Sequence, residues 1–154
     1  MHERLVEAIA WWRIGGDNGR RVLADAATEL LVAGSASPAV AELAGTPEAE
    51  NPFVVDDVIG RVIVDLQLES AFVEGENLLA VRHRCRSVLD GGLDERELTR
   101  WVHERFGHQD QEDAIDLLAG LDDEFDLAET GTFGSASEVR ARVRDVAVRL
   151  VHGE

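Results

Sequence analysis

Lysine is absent from this chain of 154 residues. All 15 basic residues are arginines, and two long windows, 22–60 and 106–139, contain none of them. With a single cysteine, Cys85, an internal disulfide is impossible, and a reducing compartment is the expected setting. No apolar run approaches the roughly 20 residues that cross a bilayer, which argues against a membrane-spanning chain. The start, Met1-His2-Glu3-Arg4, leads into an amphipathic stretch without an uninterrupted apolar core or a small-residue cleavage site. It does not read as a secretory signal, so a cytoplasmic location is expected. Basic clusters that could track nucleic acid are short, and a formal net charge of −16 repels phosphate backbones and anionic lipid alike.

What is present is acid. The second arginine-free window holds Asp110, Glu112, Asp113, Asp116, Asp122, Asp123, Glu124, Asp126, Glu129 and Glu138. A GC-rich genome or a salt-adapted proteome would also yield an acidic, lysine-free chain, but they explain the clustering less well than the bulk composition. Hydrophobic residues at 45% and charged residues at 30% fit a folded globular chain. The length suits one domain, 1–154, with a core of its own.

Helical periodicity dominates. Leu5, Ile9 and Trp12 recur at i, i+4 and i+7 before Gly15-Gly16 ends the first helix. A second helix over about 17–33 carries Leu23, Ala26, Ala27, Leu30 and Leu31 on one face. Ser37-Pro38 starts a third, with the serine as cap and proline at the first turn. Residues 46–52, with two prolines, read as a surface loop. The stretch 54–69 is ambiguous: Val55, Val58, Ile59, Val62, Ile63 and Leu66 form a helical stripe, while Val62, Val64, Leu66 and Leu68 alternate as in a strand. Helix is preferred, because no second strand exists to pair with it. Further helices are expected over 75–89, from Asp94 to Gly107, from about 110 to 128, and after a capping box at Ser135–Glu138. The fold class is all-α: a single-domain bundle of about seven or eight short-to-medium helices.

On a helical wheel over the acidic segment, Ala114, Leu117, Leu118, Leu121 and Phe125 gather on one side, and Glu112, Asp116, Asp123 and Asp126 lie opposite. These four carboxylates are the expected partner-binding residues, because their helix holds no arginine at i, i+4 to answer them. Asp122-Asp123-Glu124-Phe125-Asp126 also matches the aspartate-rich pattern with which helical prenyl-transferring enzymes hold Mg²⁺-diphosphate. Asp113 and Asp116 add a pair like those of helical nucleotide pyrophosphohydrolases. Both pairs share one helix and cannot face each other, and no basic residue stands near to meet phosphate. His83, Cys85, His103 and His108 lack a recognised zinc spacing, and His103 and His108 are one residue off a single-face pair. No metal, cofactor or catalytic residue is therefore expected. Arg140, Arg142 and Arg144 read as internal partners for carboxylates.

The segments Leu30-Leu31-Val32-Ala33-Gly34-Ser35-Ala36-Ser37-Pro38, Leu43-Ala44-Gly45, Leu89-Asp90-Gly91-Gly92-Leu93-Asp94, Trp101 and Leu121-Asp122-Asp123-Glu124-Phe125-Asp126 resemble a loosely defined group of small helical bacterial proteins. Some of that group are regarded as immunity partners of secreted toxins. The resemblance implies an all-helical fold, and no catalytic residues carry over from it. The leading expectation is a non-catalytic binding module, in its most concrete form an immunity or antitoxin-like protein that neutralises a basic toxin or nuclease. A small metal-dependent phosphohydrolase using the clustered carboxylates, and a scaffold domain with background acidity, are the alternatives.

Overall fold

The computed structural model describes residues 2–108 and 112–153, so the helix start expected near Asp110 lies outside the described residues. Among them are eight α-helices and no strand. In chain order these are α1 (Glu3–Arg13), α2 (Gly19–Val32), α3 (Pro38–Ala44), α4 (Pro52–Leu66), α5 (Glu76–Leu89), α6 (Glu95–Phe106), α7 (Asp113–Glu129) and α8 (Ala136–His152). A 3₁₀ turn at Glu69–Phe72 precedes α5. The all-α expectation holds, and the ambiguous stretch is helix. No helix among the described residues is long and apolar enough to cross a membrane.

Local chemistry accounts for most boundaries. Ser37 caps α3 by accepting from the Val40 amide at 3.3 Å, Asp94 caps α6 through the Arg96 amide at 3.0 Å, and Ser135 caps α8 through Glu138 at 3.2 Å. Asn51-Pro52, inside the stretch expected to be loop, starts α4: Asn51 accepts from the Phe53 amide at 2.9 Å and proline takes the first turn. At the end of α1, Gly15 takes φ +76°, and the Gly15 and Gly16 amides return to the carbonyls of Trp12 and Trp11. This Schellman arrangement closes the last turn and needs a left-handed residue. Gly34, Gly91 and Gly131 repeat it after α2, α5 and α7.

The chain forms two compact units, Met1–Ala80 and Val81–Glu154. In the first, α2 packs on α1 and α3, and α3 on α4. Residues 5–11 of α1 are all buried, and Trp11 rather than Trp12 is the core tryptophan. Its indole donates to the Asp17 carbonyl at 2.8 Å, and Gly16 lies so close beneath the ring that a Cβ there would sit 2.1 Å from it. Trp12 is half-buried, donates to Asp56 at 2.8 Å and lies under the Arg20 guanidinium. In the second unit α7 packs against α6 and α8. The core there includes Cys85, Leu98, Val102, Ile115, Leu118, Phe125, Val139 and Val143.

Candidate functional site

The acidic helix lies as expected in sequence but is rotated about its axis relative to the wheel. Its buried residues are Ile115, Leu118, Ala119, Leu121, Asp122 and Phe125. Leu117, expected in the core, is 49% exposed, and Asp122 is only 7% exposed. A wheel oriented by its apolar residues alone does not place a carboxylate such as Asp122 on the buried side, so it misses this phase. Asp122 can sit inward because α6 supplies its partners.

The four expected partner-binding residues are not an unanswered stripe. Glu112 is exposed just before the first turn of α7. Asp116 is half-buried on that first turn and makes interactions of its own. Asp123 meets His108 Nε2 at 2.9 Å, and Asp126 meets Arg96 at 2.6 Å. Arg96 also reaches Glu129 at 3.2 Å, and Arg142 meets Glu124 at 2.8 Å. The cations absent from α7 come from α6 and α8, which no i, i+4 search along one helix detects. Arg140 behaves in the same way, pairing with Asp94 and Glu95 while it and Arg96 lie over the Phe125 ring. The aspartate-rich run does not present one shared surface either, since Asp122 points to Thr99 and His103 while Asp126 is held by Arg96.

Around Asp122 a compact polar cluster forms. Thr99 Oγ1 lies 3.2 Å from Asp122 Oδ1 and 3.1 Å from the Arg96 carbonyl, sharing its one proton between them. Asp122 Oδ2 lies 2.9 Å from His103 Nδ1, and that nitrogen is 3.8 Å from Asp123 Oδ1. Gly107 ends α6 at φ +64°, a conformation that glycine adopts without strain. The next residue, His108, then lies with its ring centroid 4.7 Å from that of His103. The hydrogen bond from Asp122, together with the charges of Asp123, Asp122 and Asp126, raises the His103 pKa above its ordinary value against the opposing effect of burial. The sequence spacing hid this pair because an unbroken helix would point the two imidazoles apart.

Cys85 is fully buried in the core, which removes it as a nucleophile. Nearby in sequence, half-buried His83 is held neutral: burial, then the charges of Arg84 and Arg86, lower its pKa to about 4.

A second feature lies in the first unit. Helix α4 buries Val55, Val58, Ile59 and Val62, yet its outer side also carries large apolar residues, with Phe53 82% and Val64 65% exposed. Asp56, Asp57, Gly60, Arg61, Val64 and Asp65 line a shallow groove there. Gly60 leaves its floor open, because nothing lies within 4 Å of where a Cβ would be. Arg61 is turned to Glu42 at 2.6 Å and to Asp57 at 3.7 Å. The readable signal was that 52–66 carries more apolar residues than one helical stripe needs. Comparison with protein-family models, curated proteins and solved structures gives no match for this chain.

Proposed function

We propose that this chain is a non-catalytic binding module for a basic protein partner, in the manner of an immunity or antitoxin-like protein that covers a toxin or nuclease domain. The observation that carries the reading is the outer side of α4, where Phe53 and Val64 stand exposed among charged side chains. Large apolar side chains left in water beside charged groups suit the centre of a binding surface. Phe53 and Val64 supply the apolar anchor that affinity needs, and Asp56, Asp57 and Asp65 rim it. A net charge of −16 favours a partner rich in arginine or lysine and speeds its approach. The carboxylates Glu112, Asp116, Asp123 and Asp126 add to that steering.

The test is photocrosslinking from residue 64, with exposed position 28 as the control. Position 64 should capture a basic protein whose hydrolytic activity the intact chain suppresses. Phe53→Ser with Val64→Ser should then weaken binding at least ~10-fold, as expected for loss of a buried anchor. Amides at positions 112, 116, 123 and 126 should slow association and flatten its salt dependence. Equal capture from both positions, or unchanged affinity of the double variant, would refute the α4 face.

A further inference from the structure

The cluster on α6 and α7 has the composition of a metal centre as well as of an ion-pair network. Among the described residues, one donor atom from each of His103, His108 and Asp123 lies within 4.8 Å of the other two. Two contacts are already close to ligand spacing: His103 Nδ1 to Asp123 Oδ1 at 3.8 Å, and Asp123 Oδ2 to His108 Nε2 at 2.9 Å. Four-coordinate Zn²⁺, at roughly 2.0–2.1 Å from each nitrogen or oxygen, holds its ligand atoms about 3.3 Å apart. The two carboxylate contacts stand within about half an ångström of that spacing, and the remaining separation, no more than 4.8 Å, closes by side-chain rotation of at most about 1.5 Å. His108 and Asp123 have the freedom to make it, being exposed.

We propose that His103, His108 and Asp123 form a site for a divalent transition-metal ion, Zn²⁺ foremost. The ion takes the place of the protons that these carboxylate–imidazole pairs now share. Two imidazoles select a borderline ion over Mg²⁺ or Ca²⁺, which require oxygen ligands. Asp122 Oδ2, 2.9 Å from the same His103 nitrogen, stands beside this group of three donors and orients the imidazole. Thr99 holds the other oxygen of Asp122 at 3.2 Å, fixing the carboxylate before an ion arrives. Electrostatics favours the same outcome: Asp122 and Asp123 bring two negative charges that a divalent ion neutralises. The site is built wholly within the second unit and does not depend on the α4 face.

The experiment is calorimetric titration of the chelator-treated full chain with Zn²⁺, followed by Co²⁺ as a spectroscopic probe. One equivalent should bind with saturation, and Co²⁺ should give the intense visible bands of a four-coordinate site. His108→Ala, at an exposed turn where folding is not at stake, should weaken Zn²⁺ at least ~10-fold. Asp123→Asn should do the same, and Asp122→Asn should weaken it roughly 10–100-fold. His152→Ala should bind as the parent does. Absence of saturable binding, or parent-like binding by His108→Ala and Asp123→Asn, would overturn the proposal and leave the cluster as an ion-pair network only.

Discussion

His83 and His103 sit in opposite electrostatic settings and make opposite contributions to stability. His83 is held neutral by burial and by Arg84 and Arg86, with its pKa lowered from 6.5 to about 4. Between those values the unfolded chain takes up a proton that the native chain refuses. Stability must therefore fall as pH drops through that window, and His83 contributes nothing to the pH slope above it. His83→Gln should flatten the slope, read by urea unfolding at about pH 7 and about pH 5. His103 has the reverse sign. The Asp122 hydrogen bond raises its pKa, so its contribution is complete below 6.5 and is lost as pH rises through the folded value. An imidazole titration by NMR on chelator-treated protein should place His103 above 6.5 and His83 well below it.

At the level of elements, most helix C-termini share one chemistry, and α4 carries it out with an unusual residue. The C-termini of α1, α2, α5, α6, α7 and α8 place glycine at positive φ, α3 ends at Gly45 with φ −91°, and α4 places Gln67 at φ +55°. The Gln67 and Leu68 amides return to the Val64 and Ile63 carbonyls, so the turn is the same Schellman arrangement with a strained residue in it. A side chain in this region costs roughly 1–2 kcal/mol, and glycine removes that cost while adding some chain entropy. Gln67→Gly should therefore stabilise the protein by about 0.5–1 kcal/mol, seen as a higher urea midpoint with an unchanged slope. A lower midpoint would show that the exposed Gln67 side chain makes a contact worth more than the strain.

Across the whole molecule, 31 acidic residues face 15 arginines. Salt weakens both the self-repulsion and the ion pairs, so the sign of the salt effect tells which dominates. Arg96, Arg140, Arg142 and Arg144 are already used by neighbouring carboxylates, which leaves an excess of acid across the surface. The melting temperature should rise by several degrees between about 10 mM and about 0.5 M NaCl. A fall would mean that the α6–α8 pairs outweigh the repulsion.

The sequence by itself determined the helices and most of their ends, because those depend on residues within one turn of each other. Ser37, Asp94 and Ser135 each cap within three residues, and the apolar spacings of α2 and α8 are internal to each helix. Helix was also the right reading of the β-branched α4, since its stripe outlasts a strand's length. Only the tertiary structure decided the phase of α7, where Asp122 turns inward because Thr99 and His103 on α6 satisfy it from 23 and 19 residues away. It likewise decided that Arg96 answers Asp126 across 30 residues, and that a glycine turn brings His108 to His103. Such partners lie on different helices, and spacing along one chain carries no information about which helix packs beside which. The same holds for Phe53 and Val64: composition shows them to be apolar, but only packing shows which side of α4 is covered.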